Sequence, residues 1–259
     1  MKKTKLACQT ITWGDNQNED FAKVFREIKA AGFEGVEIGW RRLANTTAAE
    51  LKKLLKEAEL ELVGVHMGGN LKDAGQAKGE WGALDAAIKY LNEAGAELLM
   101  FSGLRYSNDK QLNADVAVLM EASERCASQG VNFLYHNHDW EFKNGREAFD
   151  ALLESSIKFC PDLGWIYKAG ESIPVVLDEI KGRIGAVHFK DFKNQSQEKD
   201  EWLNPVVLGT GKASLTDGAK WMLENENIPL WWIAEQDFAD IPAGEAARQN
   251  AAFLNLNIK

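Results

Sequence analysis

Residues 20–38 read DFAKVFREIKAAGFEGVEI, and this stretch decides the architecture. Phe21, Val24, Phe25 and Ile28 recur at helical spacing, so Asp20–Ala31 is predicted to be an amphipathic helix. Gly32 follows, where a glycine commonly ends a helix. Gly35–Ile38 is then a short run of strand-forming type. A helix that gives way to a strand through so short a turn is the repeating unit of a parallel α/β sheet.

The unit recurs in both directions. Upstream, Leu6–Trp13 reads as a first strand. Downstream, predicted helices occupy Thr47–Ala58, Ala83–Ala94, Gln111–Ser128, Arg146–Ser155, Ile173–Ile180, Ser214–Glu226 and Ala243–Leu254. Predicted strands lie between them at Leu60–His66, Glu97–Ser102, Val131–His138, Ile157–Leu163, Arg183–Phe189 and Leu230–Gln236. Eight strand–helix pairs with no strand left over suggest an α/β fold closed as a single (β/α)8 barrel, one domain over residues 1–259. The chain length suits that fold, which typically takes about 250 residues. An open doubly wound sheet is the alternative, but it usually carries a glycine-rich turn after strand one, and Trp13-Gly14-Asp15-Asn16 is not one. Two connections are long: Met67–Trp81 after strand three and Lys190–Ala213 after strand seven. Both leave carboxyl ends of strands, where a barrel keeps its active site, and one or both are expected to cover it.

Composition narrows the function classes. The formal net charge of −9 disfavours nucleic acid and anionic membrane surfaces as partners. No apolar run approaches the roughly 18 residues of a transmembrane span. Cys8, Cys126 and Cys160 are scattered and odd in number, which argues against a disulfide framework. Leu6-Ala7-Cys8 has no apolar segment before it, so a cleaved leader is not expected and a cytoplasmic location is.

The candidate chemistry lies at the carboxyl ends of the predicted strands. Glu37 ends strand two, His66 strand three, His136 and His138 strand five, Asp162 strand six, His188 strand seven and Glu235 strand eight, with Lys190 and Asp191 just after His188. All four histidines of the chain fall in this set. Residues two apart in a strand share a face, so His136 pairs with His138 and His188 with Lys190. Strands five to eight are ring neighbours, which lets His136, Asp162, His188 and Glu235 converge on one divalent ion: Mn, Co, Mg or Zn. Such an ion polarises an oxygen and acidifies the adjacent C–H. Against this, Lys190 and Asp191 also read as a solvated pair, and Cys160 as a small buried residue. Trp13 and Trp165, also near strand ends, are candidate faces for stacking a sugar, with Glu37 and His66 as candidate polar contacts.

At these residues the sequence resembles the xylose isomerase-like barrel superfamily, which includes sugar phosphate isomerases/epimerases and inosose dehydratases. The resemblance rests on Ala31-Gly32-Phe33-Glu34-Gly35-Val36-Glu37, on Tyr135-His136-Asn137-His138-Asp139-Trp140-Glu141-Phe142 and on Asp162-Leu163-Gly164-Trp165. It continues through Val187-His188-Phe189-Lys190-Asp191, Leu208-Gly209-Thr210-Gly211 and Trp232-Ile233-Ala234-Glu235. It implies a (β/α)8 barrel holding one divalent ion with Glu, Asp, His and Glu ligands, and three carry over by position: Asp162, His188 and Glu235. At the strand-five position the chain has His136 where many members have glutamate; either His136 takes that place or Glu141 supplies the ligand. The family's flanking glutamates move a proton beside a carbonyl. Here Glu235 remains, and His138 or Lys190 becomes the second acid/base.

The leading expectation is a metal-dependent sugar isomerase or epimerase acting on a small keto-sugar or polyol. A dehydratase of the inosose type, a lyase, is the alternative, and a non-catalytic sugar-binding barrel follows. A DNA-repair endonuclease shares the barrel but uses a multi-zinc cluster with more histidines. Lys190, Lys193 and Lys212 are candidates for holding a phosphate, and a homo-oligomer is open.

Overall fold

The computed structural model describes residues 4–69, 71, 77–104, 109–225 and 231–258. In chain order the regular elements begin with β1 (Lys5–Gln9), α1 (Phe21–Ala31), β2 (Gly35–Gly39), α2 (Ala48–Ala58), β3 (Glu61–Gly68), α3 (Ala77–Ala94) and β4 (Leu98–Ser102). They continue with α4 (Asp109–Ala127), β5 (Asn132–Tyr135), α5 (Lys143–Leu153), β6 (Lys158–Phe159), α6 (Leu163–Lys168), α7 (Ile173–Glu179) and β7 (Val187–Phe189). A small ladder of β8 (Asp191–Phe192) and β9 (Pro205–Val206) precedes α8 (Leu215–Glu224), β10 (Trp231–Ala234) and α9 (Ala243–Asn257).

Eight strands form one parallel sheet in the order β6-β5-β4-β3-β2-β1-β10-β7. The ring closes between β6 and β7 through parallel bridges at Phe159–Ile184 and Asp162–His188. The helices lie outside, as the alternation predicted. Local chemistry sets their ends. Asp20 accepts a bond from the Lys23 N–H at the start of α1 (2.9 Å), and Gly32 closes that helix with φ +104°. Thr47 and Glu50 form a reciprocal capping box at the start of α2.

The apolar interior has two parts. The larger lies between sheet and helices, with Phe25, Ile28, Val36, Leu55, Phe149 and Trp232 among its members. The smaller contains Ala7, Val63, Met100, Leu134, Cys160, Ala186, Trp231 and Ile233, which come from strands around the ring and fill the barrel itself.

Several predicted boundaries shift. The first strand stops at Gln9, because Thr10–Trp13 coils into a 3₁₀ turn capped by the Gln9 side chain. The fifth stops at Tyr135, leaving His136–His138 beyond regular pairing. The sixth is short: Asp162 makes only a single bridge, and Leu163, the predicted end of the strand, opens helix α6 instead. Asn144, Gly145 and Arg146 take left-handed backbone angles, so the continuous part of α5 begins after them. Leu230 and Glu226, at predicted element ends, lie outside the described residues, as does part of the connection 67–81.

Candidate metal centre and active site

Strand periodicity builds the site. Side chains two apart point the same way, so each residue two beyond a barrel-filling side chain enters the next layer up. Advancing two positions from Leu134, Cys160, Ala186 and Ile233 reaches His136, Asp162, His188 and Glu235. All four are buried. Each offers a donor atom, and these atoms lie within 4.8 Å of one another. A further step of two reaches His138, Lys190 and Asp237, which form the rim above.

Within the layer, His136 Nε2 is 3.4 Å from both Asp162 Oδ2 and Glu235 Oε2. Neither His136 nitrogen makes a hydrogen bond, and neither does Asp162 Oδ2, although all are buried. Asp162 Oδ1, by contrast, accepts the Trp165 N–H at the start of α6 (2.9 Å). Asn137 clamps the Asp162 backbone, accepting its N–H at 3.0 Å. Gly164 is required here, because a Cβ on it would lie 2.3 Å from the Lys190 carbonyl oxygen. His188 closes the layer: its Nδ1 contacts Glu235 Oε2 and its Nε2 lies 2.7 Å from Glu37 Oε2. Two imidazoles and two carboxylates, with orphaned nitrogen and oxygen atoms facing one another, form a mixed donor set that fits a divalent ion.

The electrostatics are coupled. Burial raises the Glu235 carboxyl, but the charges of Lys190 and His188 outweigh it and hold the group well below the usual carboxylate range. Lys190 Nζ lies 2.9 Å from Glu235 Oε1 and 3.0 Å from Asp237 Oδ2. Burial would lower this ammonium, yet Asp237 and Glu235 drive it above the ordinary lysine value. Burial lowers His138 well below the usual imidazole value, and neighbouring His136 and Lys190 add to the effect. His138 is therefore a neutral imidazole at the rim, stacked on Trp140 at 3.8 Å and tilted against Trp165 at 5.1 Å.

The remaining candidates divide. Trp165 joins the site, with Lys190 Nζ 5.1 Å from its ring centre. Lys190 and Asp191 are buried and not a solvated pair. The Asp191 carboxylate accepts the N–H groups of Phe192, Gly209, Gly211 and Ala213 at 2.9–3.1 Å and so shapes the long loop after β7. Lys193 and Lys212 are exposed. Trp13 turns away: its indole N–H donates to Glu27 in α1 (2.6 Å), and its ring lines an outer groove between α1 and α9. Glu141 stays outside the cluster of four donor residues. Its oxygens accept the Tyr135 hydroxyl (2.5 Å) and the His138 N–H (2.7 Å), and burial pushes its carboxyl up to about 7. Glu37 has no exposure, and both oxygens are held by His66 and His188, which withdraws it from direct contact with a substrate. Partly buried His66 has both nitrogens engaged, with Glu37 at 3.1 Å and Ser102 Oγ at 3.2 Å.

Three further residues lie at the site with no role assigned to them from sequence. Asp237 follows Glu235 by two positions, and strand alternation could have found it. Asp139 and Trp202 meet across the loop after β7, where the Trp202 indole donates to Asp139 at 3.0 Å. Trp202 then lies 4.9 Å from Trp165, so this loop covers one side of the rim.

Residues 25–256 match the Xylose isomerase-like TIM barrel family, and the chain belongs to it. Solved structures of the same fold include a sugar phosphate isomerase/epimerase from Parabacteroides distasonis, with a TM-score of 0.82 and 18% identity over 100% of this chain and 96% of that one. D-allulose 3-epimerase from Methylomonas sp., solved with D-allulose, matches with a TM-score of 0.80 and 15% identity over 99% and 98% of the two chains. IOLI protein, solved with a zinc atom, matches with a TM-score of 0.79 and 15% identity over 98% of each chain. Among curated proteins, Fe-coproporphyrin III synthase of Methanosarcina barkeri is 29% identical over 137 residues, 47% of this chain but only 34% of that protein. No helix among the described residues is long and apolar enough to cross a membrane.

Proposed function

We propose that the chain is a metal-dependent enzyme that removes the proton beside a carbonyl of a keto-sugar or related polyol, leading to isomerisation or epimerisation. The observation that carries this is the convergence of His136, Asp162, His188 and Glu235 one layer above the barrel filling, with His136 Nε2 and Asp162 Oδ2 left unbonded. The epimerase and zinc-bound relatives of the same fold support it. A bound Mn, Co, Mg or Zn ion supplies Lewis-acid polarisation of the substrate oxygens.

The side chains do the rest. Glu235 is held ionised and takes the proton. Lys190 holds Glu235 Oε1 and faces the oxygen on which negative charge develops. His138, neutral at the rim, is the second base, and the Lys190 ammonium is the group able to give a proton back. Trp140 and Trp202, partly exposed and with buried Trp165 packed behind Trp202, give an apolar wall for the C–H face of a sugar ring. We take residues 1–259 as one domain acting on a small soluble substrate in the cytoplasm, alone or as a homo-oligomer. The test is solvent deuterium exchange into keto-sugars: wild type exchanges and E235Q does not. Retained exchange in E235Q removes Glu235 from the role of base.

One feature favours a lyase of the dehydratase kind instead. The strand-five position holds His136 and not a second carboxylate, so the acid/base pair is unlike on its two sides. The Lys190 ammonium would then give its proton to a departing β-hydroxyl, which leaves as water, with neutral His138 beside it. An unsaturated product absorbing in the ultraviolet supports this second reading, and clean interconversion of two isomers opposes it.

A further inference from the structure

His188 belongs to two groups of potential metal ligands. One is the layer already described; the other is Glu37, His66 and His188. They differ in how their polar atoms are satisfied. In the first, His136 Nε2 and Asp162 Oδ2 lack hydrogen bonds. In the second, every facing atom is paired: His188 Nε2 with Glu37 Oε2 at 2.7 Å, His66 Nδ1 with Glu37 Oε1 at 3.1 Å, and His66 Nε2 with Ser102 Oγ at 3.2 Å. An ionised carboxylate only accepts, so both imidazoles must donate to Glu37. Both Glu37 oxygens face imidazole nitrogens, Oε1 that of His66 and Oε2 that of His188, so the carboxylate sits as the acceptor between them. The donor to it from His188 is Nε2–H, which leaves Nδ1 as the nitrogen turned toward Glu235 and the first group.

We infer that Glu37 is a positioning residue: it fixes His188 with Nε2 protonated and Nδ1 presented to the cation, while His66 and Ser102 hold Glu37 in place. The second group is thus a hydrogen-bonded support and not a second metal site. Carboxylates behind metal-bound histidines act in this way generally. The inference rests on the proposal that the first group holds a metal.

The test is Co²⁺ titration by calorimetry and visible absorption on wild type, E37Q and E37A, with metal-free thermal unfolding to confirm folding. Wild type is expected to bind one Co²⁺. E37A should bind about 10–100-fold more weakly with an altered absorption envelope. E37Q should fall between, because one amide carbonyl replaces two acceptors. Nitrogen-15 histidine spectra of Zn²⁺-loaded wild type give a readout that needs no variant: His188 should carry its proton on Nε2. Equal affinity and spectra across the variants, or a His188 proton on Nδ1, overturn the positioning role alone. A second Co²⁺ per chain that disappears in H66A also overturns it. Failure of wild type to bind Co²⁺ removes the metal centre itself, and the positioning role with it.

Discussion

His136 Nε2 and Asp162 Oδ2 face each other at 3.4 Å, both buried and neither hydrogen-bonded. Leaving a buried polar atom unsatisfied costs about 1–3 kcal/mol. A divalent ion held by His136, Asp162, His188 and Glu235, as we propose, would remove that cost. Adding Mn²⁺ or Zn²⁺ at about 100 times its Kd should therefore stabilise the fold by about 2.7 kcal/mol, or roughly 5–10 °C in Tm. Differential scanning fluorimetry with and without EDTA checks this; an unchanged Tm counts against the site.

Glu141 has a different role from the four clustered groups. Its carboxyl is raised to about 7 by burial, against 4.5 ordinarily. Between those values the folded state holds more protons than the unfolded chain, so this group lowers stability as pH rises through the interval. E141Q removes the titration. Relative to E141Q, wild type should lose stability between pH 5 and pH 8 in urea unfolding. Metal affinity in E141Q should stay within about 3-fold of wild type, since losing an outer-shell partner typically costs 10-fold or more.

His138 is held neutral by burial and by the charges of His136 and Lys190. In the proposed role of base it would be lost only when pH falls through its lowered pKa. The acid limb of kcat/KM should consequently lie below the ordinary histidine value of about 6.5. H138Q should reduce kcat by about 10²–10⁴-fold with metal content unchanged. A pH–rate profile and metal analysis on the same preparation separate this from loss of the ion.

Trp202 reaches the rim from the loop after β7 and packs 4.9 Å from Trp165. An aromatic contact of this kind is worth about 0.5–1.5 kcal/mol. W202A should raise KM by about 2–12-fold and leave kcat nearly unchanged. Steady-state kinetics would show otherwise if Trp202 took part in the chemistry.

The barrel was legible because helical and strand periods alternate from Leu6 to Leu254, and Gly32 and Gly95 mark helix ends. Asp162, His188 and Glu235 were legible because strand alternation fixes which side chains enter the barrel. Trp13 was misplaced because the Gln9 side chain caps a 3₁₀ turn that rotates the indole outward, a tertiary choice with no period. Helix α6 was missed because Asp162 ends the strand and caps the helix at one position. Glu37 read as a substrate contact because its strand-end position was visible, whereas its pairing with His66 and His188 joins residues far apart in sequence. Asp139 and Trp202 belong to irregular segments, where spacing carries no orientation.

The most direct test of the metal centre is the metal content of gently purified protein by elemental mass spectrometry, for wild type and H188A. One Mn, Co, Mg or Zn per wild-type chain, lost in H188A, is the expected result. Wild type free of metal, with no ion taken up on dialysis against each of the four, would contradict it and withdraw the roles assigned to His136, Asp162, His188 and Glu235.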